Sequence, residues 1–194
     1  MRELQTGIWH WQAPHPEWTE RADWEQLVSS YAIEDGGRLL LFDPLGVPRE
    51  LEELARERET AIVLTCPWHG RDASSLAERL ALPIHVPPPD EGDLPAGEVF
   101  KAGDQLPVGV QAFPGMEPND LVLWIDSRRT LVLGDTLIDR GNGLEFPRDW
   151  ANKHVPAEQI LEGLQLLKKL PVELVLPTHG TPTDRAALER ALSS

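Results

Sequence analysis

The sequence is short of cysteine, tyrosine and methionine, with one, one and two copies in 194 residues, and it carries only 18 lysines and arginines against 32 aspartates and glutamates. Each shortage excludes something. A lone Cys66 cannot close an internal disulfide, and Met1-Arg2-Glu3-Leu4-Gln5-Thr6 lacks the basic start and apolar stretch of a secretory leader, so a cytoplasmic protein is expected. A formal charge of −14 repels phosphate backbones and anionic lipid, which argues against nucleic-acid and membrane partners. Arg128-Arg129, a basic pair, reads as a turn between strands. Apolar runs such as Leu39-Leu40-Leu41-Phe42 are strand-sized, far below the roughly 20 residues that cross a bilayer.

The length suits one domain, 1–194, around one core. Gly7 to Trp18 alternates and then meets Pro14 and Pro16, as an edge strand and loop would, with Trp9, Trp11 and Trp18 as packing residues. Tyr31–Glu34 and Arg38–Phe42 flank Asp35-Gly36-Gly37, a hairpin signal because glycine supplies the positive φ of a tight turn. Leu51 and Leu54 give Pro48–Glu59 a helical stripe, Ala61–Leu64 is a buried-strand run, and Leu76, Ala77 and Leu80 mark a helix over Asp72–Leu82. Ile84–Val86, Val108–Phe113, Leu121–Ile125 and Leu131–Leu133 read as further strands, and Pro87–Gly92 as a surface loop. A helix over Pro156–Leu170, a strand over Val172–Leu176 and a helix over Asp184–Leu192 complete an α/β pattern.

Three polar segments each follow an apolar run: Thr65-Cys66-Pro67-Trp68-His69-Gly70-Arg71-Asp72, Gly134-Asp135-Thr136 and Pro177-Thr178-His179-Gly180. Polar residues at strand ends are where α/β proteins build sites. The order of these segments resembles the metallo-β-lactamase superfamily, whose members carry His-x-His-x-Asp-His after one strand, then a further His, then Gly-Asp, then a final His in a glycine-rich turn. The resemblance implies a four-layer αβ/βα sandwich over nearly the whole length. It also places His69, Asp72, Asp135 and His179 at metal-ligand positions, with His69, Asp135 and His179 as the catalytic set.

Pro67 and Arg71 stand where the superfamily's first His and Asp would be, and Met116 after Phe113-Pro114-Gly115 stands where another His would be. A two-metal site is therefore not expected. One reading has no metal at all, with the Arg71 guanidinium taking an ion's place by forking onto Asp72 or Asp135 and offering a contact to a small anionic ligand. The alternative has one zinc, iron or manganese ion on Asp72, Asp135 and His179, with or without His69, hydrolysing an ester or thioester. A third reading is an interaction protein that presents its tryptophan-rich N-terminal segment to a partner. Plainer roles compete at each position. Asp72 before Ala73-Ser74-Ser75 is placed as a helix N-cap, Asp135 as an acceptor of turn amides, and Cys66 as a small packing residue. His10, His85 and His154 read as surface or packing residues, and His15 reaches a pocket only if the N-terminal segment folds over it.

Overall fold

The computed structural model describes residues 1–89, 95–151 and 154–193. Strands β1 (Arg2–Gln5), β2 (Ile8–Pro14), β3 (Leu27–Asp35), β4 (Arg38–Phe42), β5 (Glu59–Val63), β6 (Ile84–Val86) and β7 (Glu98–Val99) form one sheet in chain order. The first four pair antiparallel and the rest parallel. A second sheet is built from β8 (Gln111–Pro114), β9 (Leu121–Ile125), β10 (Thr130–Leu133), β13 (Leu174–Pro177) and β14 (Thr183–Asp184), with β10 and β13 its parallel pair. Between them in sequence, β11 (Ile138–Asp139) and β12 (Leu144–Glu145) make a small ribbon.

The unbroken apolar run of β4 reflects burial on both faces of the first sheet. Leu40 and Phe42 join Tyr31, Ile33 and Val63 against Leu123, Val132 and Leu176 of the second sheet. Leu39 and Leu41 point the other way, onto Leu51 and Ala55 of helix α1 (Arg49–Glu57) and Ala73 and Leu76 of α2 (Ala73–Leu80). Across the molecule, Val122, Trp124 and Leu131 of the second sheet bury α3 (Ala157–Leu164) and α4 (Arg185–Ala191) through Ile160, Leu161, Leu164 and Leu188. The layers are helix, sheet, sheet, helix, the expected αβ/βα sandwich. Each fully buried leucine contributes about 1.5–3 kcal/mol by leaving water.

The hairpin forms as expected: Asp35 pairs with Arg38 across Gly36 and Gly37, both at positive φ, the two-residue turn whose twist matches the strands. Some expectations change. β2 is not an edge strand, because β1 pairs on its outer side. The helix over 156–170 ends at Leu164 and continues as a tighter 3₁₀ turn to Lys169, since Pro171 forces Leu170 into an extended conformation. Val172 is buried, but the strand after it starts at Leu174. The loop from Pro87 passes beyond the described residues at 90. Among the described residues no helix is long and apolar enough to cross a membrane.

Candidate functional site

Four strand ends of the two sheets meet at one edge. After β4, Asp43 turns inward at positive φ, and its Oδ1 accepts the Thr65 N–H at 2.9 Å while Oδ2 accepts the Thr65 hydroxyl at 2.5 Å. After β5, a short 3₁₀ turn at Pro67–His69 presses His69 into the interior, with its Nδ1 3.2 Å from Asp43 Oδ2 and 3.1 Å from Thr65 Oγ1. The far nitrogen, Nε2, is thereby aimed at Asp135 Oδ1, 3.4 Å away. A carboxylate behind an imidazole commonly fixes the ring in this way.

Asp135 follows β10 through Gly134, where any side chain would strike the Asp120 carboxylate, because a Cβ there would lie 2.1 Å from Asp120 Oδ1. Asp120 is fully buried and holds this turn from below, accepting the Asp135 N–H at 3.1 Å and the Thr136 hydroxyl at 2.6 Å. After β13, Thr178 donates to the Leu133 carbonyl at 2.7 Å, and His179 turns its Nε2 to Asp135 Oδ1 at 3.4 Å. The other Asp135 oxygen accepts the Trp68 indole N–H at 2.6 Å.

Burial opposes ionisation throughout, and the neighbouring charges decide where it is overcome. For His69 burial pulls downward, but Asp135 and Asp43 on its two sides outweigh it and raise the pKa to about 9. For Asp135, burial pushes upward and His69 pulls it below the ordinary carboxylate range, and Asp43 moves the same way. His179, buried and facing cationic His69 and Arg71, falls to about 4 despite Asp135. Asp120, buried beside Asp135, rises to about 7. At neutral pH the carboxylates Asp43 and Asp135 face the cations His69 and Arg71, with His179 neutral and Asp120 partly ionised beneath them.

Above this network lies a cavity of about 330 Å³, and His15 lines it because the segment after β2 does fold over the site. Trp24 and Trp150 pack edge-on around His179, with centroids 5.0 and 5.5 Å away, and Trp68 forms another wall. Asp23 joins the two loops that carry these rings by accepting the Trp150 indole N–H at 2.8 Å and facing Arg140 at 3.4 Å.

The structure thus brings His69, Asp135, His179 and Arg71 together, and leaves Asp72 out. Asp72 sits at the N-cap position of α2, yet its side chain neither caps the helix nor faces the cavity; it accepts the Gly46 N–H at 2.7 Å. Arg71 does not fork onto Asp72 or Asp135: its Nη1 donates to the Ser29 and Asp43 carbonyls at 3.0 and 2.9 Å. Cys66 is fully buried, and burial together with Asp135, Asp120 and Asp43 pushes its thiol well up, so it stays protonated. His10 is buried against Tyr31 and bonded to Ser29 Oγ, His85 is buried beside Glu98, and His154 is exposed. In the N-terminal segment Trp11 is buried, bonding the Leu45 carbonyl, and Trp18 bonds the Trp24 carbonyl.

Asp43 carries the same sequence signal as the three segments, a polar residue directly after a buried apolar run. Trp68 lies in the first polar segment, whereas Trp24, Trp150 and Asp120 had no signal, because their convergence depends on loops far apart in sequence.

As to metals, one group of donors among the described residues could hold an ion. Sγ of Cys66, a ring nitrogen of His69 and a carboxylate oxygen of Asp135 lie within 4.8 Å of one another, and the buried Asp135 Oδ1 has no hydrogen-bond partner.

No protein-family model and no curated protein matches the sequence. Solved structures do. The DIM-1 metallo-β-lactamase exposed to ceftazidime superposes with a TM-score of 0.72 at 19% identity, over 99% of this chain and 94% of that one. TTHA1623 in a di-iron-bound form gives 0.63 at 24%, over 84% and 93%. ETHE1 from Myxococcus xanthus gives 0.64 at 26%, over 85% and 78%. The fold is metallo-β-lactamase-like.

Proposed function

We propose that this scaffold works without the two-metal centre of its superfamily and binds a small molecule in the cavity above His69, Asp135 and His179. The observation that carries the reading is the cation the protein itself sets beside Asp135, since His69 lies between Asp43 and Asp135 with its Nε2 3.4 Å from Asp135 Oδ1. Trp68 donates to one of its oxygens, and His69 and His179 face the other at 3.4 Å. Asp43 and Arg71 add a second carboxylate and a second cation to this cluster, so protein groups supply partners for the buried charge, as its burial demands. The cavity is of the size that takes small organic ligands.

A second reading is favoured by the closeness of Cys66, His69 and Asp135: one zinc, iron or manganese ion held by His69 and Asp135, with Cys66 or His179. Such an ion would supply Lewis-acid chemistry suited to ester or thioester hydrolysis. The di-iron form of TTHA1623 lends this reading support by analogy of fold alone.

Metal content separates the readings. Untagged protein purified without chelator is analysed by inductively coupled plasma mass spectrometry, before and after equilibration with excess zinc. No stoichiometric metal in either state is the expected result. One ion per chain, lost in His69→Ala, establishes the second reading, and two ions per chain refute both.

A further inference from the structure

We propose that the cavity receives a small organic cation of the alkylammonium class, held against the indoles of Trp24, Trp68 and Trp150; this rests on the reading that the cavity binds an organic molecule. Six of its ten lining side chains are aromatic rings, three indoles and three imidazoles. Trp68 leaves 42% of its surface exposed although its N–H is anchored to Asp135, so its ring is presented while its position is held. An indole face attracts a cation within roughly 6 Å through its quadrupole. One wall already does so: the Arg140 guanidinium carbon lies 4.9 Å from the Trp150 ring centroid.

Charge points the same way. In the lining the cations His69 and Arg71 are opposed by Asp135 and, behind it, Asp43, whereas Glu17 and Asp23 are further carboxylates, and Asp23 shares Arg140 with Asp149. The net charge of −14 draws cations toward the molecule and slows the approach of anions. Arg71 is the feature that would favour an anion. It lines the cavity with its Nη1 tied to two carbonyls and its Nε and Nη2 buried without a hydrogen-bond partner, so the anionic probe below tests it directly.

The test is isothermal titration of the full chain with three probes of matched shape: choline, neutral 3,3-dimethylbutan-1-ol and anionic 3,3-dimethylbutanoate. Choline is expected to bind at least tenfold more tightly than the neutral isostere, with no binding of the carboxylate. Glu17→Gln, at an exposed carboxylate, should weaken choline severalfold while its thermal melt stays near the parent's, and Trp68→Leu should weaken it severalfold with a lower melt, because Asp135 loses its indole donor. Equal binding of the neutral probe, or tighter binding of the carboxylate, overturns the cation class and leaves the cavity reading standing. No binding of any probe at millimolar concentration overturns the cation class as well, and stoichiometric zinc uptake in the same preparation overturns the metal-free reading with it.

Discussion

Replacing Asp43 by Asn removes one charge and almost no volume, so its effect isolates the electrostatic role of this carboxylate. Asp43 is 2% exposed and holds the Thr65 N–H, the Thr65 hydroxyl and His69 Nδ1. The amide oxygen can still accept from Thr65 N, but its NH₂ faces His69, and the His69 and Arg71 cations are left against Asp135 alone. Breaking one member out of a buried pair costs about 3–5 kcal/mol, because the surviving charge stays desolvated. For a domain of this size each kcal/mol moves Tm by about 2–4 °C, so a fall of about 6–20 °C is expected. Thermal unfolding followed by circular dichroism measures it, with Asp72→Ala as the comparison. Asp72 makes one side-chain hydrogen bond, to Gly46 N, and its loss should cost about 1 kcal/mol, or about 2–4 °C. If Asp43→Asn melts within 2 °C of the parent, or Asp72→Ala proves the more damaging, the buried-pair argument is wrong.

Three further outcomes follow from the same contacts. Gly134→Ala drives a methyl to 2.1 Å from Asp120 Oδ1 and should cost several kcal/mol or abolish soluble expression; a melt like the parent's would show that the Asp135 turn yields easily. His10 is held at a pKa of about 4 by burial, with Arg2 and the N-terminus adding to it, against 6.5 when unfolded. Its contribution is therefore fully present above pH 6.5 and is lost as pH falls toward 4, by at most about 3 kcal/mol, and His10→Gln should flatten that part of a denaturant-derived stability profile. Cys66 is fully buried with its thiol protonated, so it should react with Ellman's reagent only after unfolding in guanidinium; rapid reaction of the native protein would contradict the packing around β5.

Much of the framework was legible from local chemistry. Gly36-Gly37 permits only a narrow set of turns, and Leu39 to Phe42 must be buried on both faces, so the hairpin and a covered sheet follow from the residues themselves. The three polar segments were visible for the same reason, since each interrupts an apolar strand end with groups that need partners. His69, Asp135 and His179 met in space because their strands end at the same edge of the sheets.

What sequence could not supply was direction. Spacing puts Asp72 one residue from Arg71, but the positive φ of Arg71 at the start of α2 sends one side chain to the Ser29 and Asp43 carbonyls and the other to Gly46. Asp43 became the partner of His69 only once β4 and β5 were aligned in parallel, which sets the Thr65 N–H on its carboxylate. The indole walls depend on the segment after β2 and the loop after β12 being joined through Asp23, more than a hundred residues from Trp150. The strand ends determined that polar groups gather at a sheet edge of an α/β protein, and the αβ/βα sandwich was what the resemblance implied. Its charge balance, its aromatic lining and the loss of Asp72 from it were decided by long-range packing, because local propensity constrains φ and ψ but not which distant groups a buried side chain meets.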